Sequence, residues 1–163
     1  MRSPAMISPP LAQRRTGLRS FLFAPGNHPR KVEKVFTAGA DVVILDLEDA
    51  VAVAEKEPTR AVVVAALQAP RRSLGYVRIN GVGTRWCMGD LESVMGPWLD
   101  GIVVPKVESP DQLRLISEKI SDAERRAGLP GGSIDLMPIV ETALGIESAR
   151  DIAAAGPRVR RLA

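Results

Sequence analysis

Several residue types are scarce in this sequence, and each scarcity excludes something. There is one cysteine, Cys87, in 163 residues. A lone thiol forms no internal disulfide, which points to a reducing, cytoplasmic setting and a free, partly buried side chain. There is one histidine, His28, and it sits in a turn with no obvious partner, so it reads as a helix-start residue rather than a general base. Aromatic residues make up 4% of the chain. No aromatic interleaving accompanies the basic residues, which argues against a nucleic-acid face. No apolar run approaches the roughly 20 residues that a membrane helix needs. A dinucleotide-binding G-x-G-x-x-G is also missing after the first predicted strand, where the turn reads Pro25-Gly26-Asn27-His28-Pro29.

The charge is unevenly distributed. Residues 1–34 hold seven Lys/Arg against one Glu, and the remainder holds 15 against 18. The overall +3 is therefore a property of the front of the chain, not of a broad basic surface. Residues 1–17 carry Arg2, Arg14 and Arg15 around several prolines, without an apolar signal-peptide centre, and are expected to be a disordered lead-in. The rest has ordinary globular composition, at 45% hydrophobic and 25% charged, and the length suits one domain.

Val42-Val43-Ile44-Leu45 runs directly into Asp46-Leu47-Glu48-Asp49. The apolar run reads as a strand buried on both faces. Ionised carboxylates at its end are costly unless cations or hydrogen-bond donors meet them, and such acids cluster at functional sites. Strands are expected at 18–24, 42–47, 75–80, 101–105 and 134–140, with a sixth beginning at 159–163. Helices are expected at 31–38, from Pro58 onward, near 90–98, at 111–127 and at 142–155. Repeated β–α alternation means a parallel sheet with helical crossovers. Two architectures fit, an open doubly wound sheet and part of a (β/α)8 TIM barrel. Polar residues gather after strand upon strand: Asp46, Glu48 and Asp49, then Arg78 and Asn80, then Lys106 and Glu108, then Glu141. Barrel enzymes build their sites at that end of the strands, which favours the barrel.

In the third strand, a period of two puts Tyr76, Arg78 and Asn80 on one face and Val77 and Ile79 on the other. Arg78 then points to the barrel mouth, where a planar guanidinium suits a carboxylate. The residues alone equally allow a structural ion pair with an acid of the second strand. Lys106 is expected to pair with a neighbouring barrel acid. Glu108 fits a loop or a helix start, and Trp86 and Trp98 are expected to pack on the outside of the barrel.

Five motifs occur in order: Arg19-Ser20-Phe21-Leu22-Phe23-Ala24-Pro25-Gly26-Asn27, Leu45-Asp46-Leu47-Glu48-Asp49-Ala50-Val51, Val77-Arg78-Ile79-Asn80-Gly81, Gly101-Ile102-Val103-Val104-Pro105-Lys106-Val107-Glu108 and Pro138-Ile139-Val140-Glu141-Thr142-Ala143-Leu144-Gly145. Together they resemble the citrate lyase β-subunit-like family of the HpcH/HpaI aldolase superfamily, which includes malyl-CoA and citramalyl-CoA lyases. The resemblance implies a Mg2+-dependent carbon–carbon lyase that splits a 3-hydroxyacyl thioester into an oxoacid and an acyl-CoA. It implies Glu141 as a metal ligand that also faces substrate, Arg78 as the oxoacid-binding residue, and Glu48 and Asp49 as acids that order metal waters and orient Arg78. Phe23, Arg30 and Lys34 match substrate or CoA contacts, although Arg30 and Lys34 read equally well as a solvated helix face. The family is further expected to be a homo-oligomer, a trimer or hexamer, when full length.

Length is the departure from this pattern. A complete barrel runs about 250 residues. The chain offers five units and the start of a sixth, so the second metal carboxylate and a late catalytic aspartate are expected beyond residue 163. The chain then reads either as the N-terminal part of such a lyase or as a truncated, non-catalytic homologue that binds an acyl-CoA or a partner subunit.

Overall fold

The structure, a computed structural model, describes residues 17–163. The lead-in expected at the N-terminus lies, apart from Gly17, outside the described residues. Five strands, β1 (Phe21–Pro25), β2 (Val42–Asp46), β3 (Leu74–Arg78), β4 (Gly101–Val104) and β5 (Asp135–Pro138), form one sheet in chain order. Every neighbouring pair is parallel. Consecutive parallel strands that stay neighbours, each followed by a crossover helix, make an arc of a β/α barrel. A doubly wound sheet would have reversed its order partway.

The helices are α1 (Pro29–Val35), α2 (Lys56–Gln68), α3 (Cys87–Val94), α4 (Pro110–Arg126), α5 (Ala143–Glu147) and α6 (Ala149–Ala153). α4 shows why the ends fall where they do. Pro110 occupies its first turn, and the Gln112 side chain accepts the N–H groups of Glu108 (2.8 Å) and Ser109 (3.2 Å), which the helix itself leaves unpaired. At the other end Gly128 takes φ 66°, and the Leu129 and Gly128 amides fold back onto the carbonyls of Glu124 and Arg125. The single helix expected at 142–155 is instead two short ones, broken at Ser148, where ψ is 3°. α2 begins at Lys56, ahead of Pro58, because a 3-10 turn at Val53–Glu55 leads into it.

Alternation along the strands creates two apolar layers. Val43, Leu45, Val77, Ile102, Val104 and Leu136 face outward and pack under the helices, together with Val63, Leu67, Leu113, Ile116 and Ile120. Trp98 packs on this layer, as expected. The inward face carries Val42, Ile44, Leu74, Tyr76, Val103 and Met137. Gly101 lies opposite Tyr76 in the register, and a Cβ there would meet the tyrosine ring at 2.5 Å, so the glycine makes room for the ring. The next inward positions toward the C-terminal ends are Asp46 and Arg78, which face each other directly in the register. Apolar layers below thus place a carboxylate and a guanidinium side by side above them.

Residues 158–163 run along β5. Leu136 bridges Val159, and the Ala163 amide donates to Pro138 (3.1 Å), as a sixth strand would begin. Arg158 fixes this segment through a two-pronged pair with Glu124 of α4, at 2.8 and 2.9 Å.

Candidate active site at the C-terminal ends of the strands

The centre of the site is the Asp46–Arg78 pair. Arg78 donates from Nε to Oδ1 (2.7 Å) and from Nη2 to Oδ2 (2.6 Å), the side-on two-pronged geometry that carboxylate and guanidinium favour. Asp46 also accepts the amides of Glu48 (2.8 Å) and Ala50 (3.0 Å), so its carboxylate organises the turn that presents Glu48 and Asp49. Asp46 therefore does the orienting of Arg78 expected of Glu48 and Asp49, because strand register brings it directly opposite. Glu48 comes within 3.4 Å of Nη1 without hydrogen-bond alignment. Burial is the largest single influence on Arg78 and works against its charge, but the hydrogen bonds to Asp46 together with the charges of Asp46, Glu48 and Asp49 outweigh it and raise its pKa. Its end-on prongs, Nη1 and the second Nη2 hydrogen, are not used by Asp46. The structural ion pair with Asp46 thus takes up only one side of the guanidinium.

Lys106 follows β4 and joins the acids of other strands. Its Nζ donates to Glu48 and to Asp49 (3.1 Å), and its backbone amide donates to Glu141 Oε1 (3.0 Å). The hydrogen bond from Lys106 holds the Asp49 carboxyl below its usual range, and those to Glu48 and then Asp49 raise the ammonium pKa. Asp49 stays ionised at neutral pH, which suits it to holding water or cation rather than delivering a proton.

Phe23 lies on the inward face of β1, 44% exposed, with the Arg78 guanidinium over its ring at 5.1 Å. It forms a wall of the site. Arg30 and Lys34 stand exposed on α1, and their side chains take part in no ion pair among the described residues. The structure brings Phe23, Glu48, Asp49, Arg78 and Glu141 together and leaves Arg30 and Lys34 outside the cluster. His28 is the residue before α1 and makes no side-chain cap, in keeping with a helix-start position.

Asn80 departs from the expected orientation. β3 ends at Arg78, and Asn80 turns away from the mouth to donate to Leu47 O (2.9 Å) and to buried Asp90 (2.6 Å). Lys56 went unnoticed in the sequence. Its buried Nζ donates to the carbonyls of Leu47 (3.2 Å) and Glu48 (2.8 Å), pinning the acidic turn from behind, with Trp86 beneath it at 5.4 Å. The signal was only that a lysine opens α2, as many solvated lysines do. Cys87 is fully buried, and burial followed by the Asp90 charge pushes its thiol up to about 11, so it is a packing residue.

A groove of 1260 Å3 between α1 and α2, lined by Leu18, Val32, Phe36 and Leu74, lies at the N-terminal ends of the strands, away from this cluster. Among the described residues no helix is long and apolar enough to cross a membrane.

A parallel β/α arc with a charged cluster at its C-terminal rim defines the class, a barrel-type enzyme scaffold. The sequence profile of the HpcH/HpaI aldolase/citrate lyase family matches residues 19–163, and the chain belongs to this family. It is 38% identical over 157 residues to the citrate lyase subunit beta of Escherichia coli K12, covering 94% of this chain and 52% of that protein. Among solved structures, the citrate lyase beta subunit of Mycobacterium tuberculosis complexed with oxaloacetate and magnesium superposes with a TM-score of 0.68 at 37% identity. That match covers 88% of this chain and 56% of the other. The CitE protein of the same organism in complex with magnesium, acetoacetate and coenzyme A superposes at 0.66 and 37% identity, over 84% of this chain and 45% of that one. The chain thus spans about half the length of the proteins it matches.

Proposed function

We propose that this chain supplies the oxoacid-binding half of a Mg2+-dependent carbon–carbon lyase. The substrate class is a 3-hydroxyacyl thioester of the citryl-, malyl- or citramalyl-CoA type, and the products are an oxoacid and an acyl-CoA. The observation that carries the reading is the Arg78 guanidinium, locked side-on by Asp46 with its end-on prongs outside that pair, beside three further carboxylates. The solved relatives that hold magnesium with oxaloacetate, or with acetoacetate and coenzyme A, support it.

The donor set fits magnesium. One Glu141 oxygen is committed to the Lys106 amide, which leaves the other for a hard cation, and buried Glu48 Oε2 has no hydrogen-bond partner. No cluster of three or more metal-ligating side chains occurs among the described residues. Mg2+ commonly uses one or two carboxylates and takes its other oxygens from substrate and water, so it needs no such cage. When bound, it would polarise the oxoacid's carbonyl oxygen as a Lewis acid. The chain's own residues do the rest. The end-on prongs of Arg78 hold the oxoacid carboxylate, and Phe23 covers one side and excludes water. Glu48 and Asp49, both hydrogen-bonded to the Lys106 ammonium, hold the waters around the cation. Arg30 and Lys34 are assigned to the thioester's phosphates.

Glu141→Gln keeps the shape and the hydrogen bond from Lys106 but removes the charge. Mg2+ affinity measured by calorimetry on the full-length protein should fall by about tenfold or more, as for other losses of a charged partner. An unchanged affinity would remove Glu141 from the metal.

A further inference from the structure

Lys106 is the one non-glycine residue with positive φ, 53°, among the described residues. Side chains other than glycine, asparagine and aspartate rarely adopt that conformation, and it persists where the surroundings over-determine it. Here the conformation has a visible consequence. It aims the amide at Glu141 in the loop after β5, while Nζ reaches back to Glu48 and Asp49 in the loop after β2. β2 lies two strands from β4, about 10 Å at ordinary strand spacing, so only a long cationic side chain spans the gap.

Glu48 explains why the span matters. Its side chain is 7% exposed, and a buried carboxylate needs a cation. Two are within reach, Lys106 Nζ and Arg78 Nη1, the latter at 3.4 Å and poorly aligned. Without the ammonium, the best remaining partner for Glu48 is the end-on fork of Arg78, which a carboxylate engages with two bonds. Glu48 would then occupy the place assigned to the oxoacid. We infer that Lys106 is a positioning residue: its ammonium holds Glu48 off the Arg78 fork, and its left-handed backbone fixes Glu141, so that fork and metal-facing oxygen address the same ligand. The inference rests on the function proposed above.

The test separates charge from backbone. Lys106→Asn removes the ammonium but tolerates the left-handed backbone, so Glu141 keeps its amide. Lys106→Arg keeps the charge, and Glu48→Gln, alone and combined with Lys106→Asn, removes the competitor. Two measurements are made on each full chain: the ligand-free crystal structure, and calorimetric titration of oxalate in the presence of Mg2+. In Lys106→Asn, Glu48 should close on Arg78 to a two-pronged contact of about 2.8 Å. Oxalate affinity should drop about tenfold or more, whereas adding Lys106→Asn to Glu48→Gln should lower it by no more than roughly threefold, since the loss is competition for a charge-assisted bond. Lys106→Arg should bind like wild type.

Glu48 remaining in its original position in Lys106→Asn would overturn the inference. So would an equal drop on adding Lys106→Asn to Glu48→Gln, because Lys106 would then act on the ligand directly. Wild-type protein that takes up no oxalate would refute the functional reading instead, while the Glu48–Arg78 distance still decides the role of Lys106. Should Lys106→Asn not fold, Lys106→Met, which preserves the packing of the side-chain stem, carries the same comparison.

Discussion

Arg78→Met should destabilise the protein by about 3–5 kcal/mol, the usual result of removing one partner from a buried ion pair. Asp46 is 1% exposed and Glu48 5%, so two carboxylates would lose their guanidinium with little access to water. The Asp46 carboxylate would keep two amide donors, from Glu48 and Ala50, which places the loss toward the lower end. For a chain of this size the melting temperature should drop by on the order of 10 °C. Arg78→Lys retains the charge but cannot reproduce the side-on pair and the end-on fork together. It should cost about 1.5–3 kcal/mol in oxoacid binding, the range for a charge-assisted hydrogen bond. Thermal unfolding and oxoacid titration of both variants check this. Wild-type stability in Arg78→Met would mean that the backbone amides alone satisfy Asp46 and that the pair is not what holds the rim together.

The parts of this arrangement that could be read from the sequence are those set by local pattern. Strand alternation put Tyr76 and Arg78 on one face, and the apolar run before Asp46 marked a strand buried on both sides. Its acids are indeed met by cations and amides. What could not be read was which acid of the second strand Arg78 meets. Asp46 and Arg78 are 32 residues apart, and only the parallel register, which places Val42 opposite Leu74, sets them opposite each other. The first strand shows the same limit. It starts at Phe21 rather than at Leu18, because the amides of Arg19 and Ser20 are drawn to the Asp41 carboxylate at 2.8 and 3.0 Å instead of to a ladder partner. Lys106 was visible in its motif and was expected to pair with an acid, but its left-handed backbone depends on loops of three strands meeting at the rim. Glu141 is exposed, and no pattern within its own strand signals the amide that holds one of its oxygens.

Asp90→Ala should be as damaging as Arg78→Met, at about 3–5 kcal/mol, although Asp90 lies outside the site. Its side chain is fully buried, and every partner is a donor: Arg60 Nε at 2.8 Å, the Asn80 amide at 2.9 Å and Asn80 Nδ2 at 2.6 Å. Only a carboxylate has acceptors enough for all three, so Asp90→Asn should recover little, its own N–H groups facing donors. Adding Arg60→Met to Asp90→Ala should restore part of the loss, since it removes the orphaned cation, but not the part owed to Asn80. Urea unfolding of the four proteins measures this, with midpoints compared at a common slope. The effect should also reach the site. Asn80 follows Arg78 by two residues, its Nδ2 and the Leu47 amide close the gap between the loops after β2 and β3, and Arg78 O accepts that amide at 2.9 Å. With Asp90 gone, the loop that leaves Arg78 loses its anchor, and oxoacid binding should weaken even where the variant remains folded. Asp90→Ala within about 0.5 kcal/mol of wild type, the level of an ordinary surface change, would show that Asn80 holds this loop unaided.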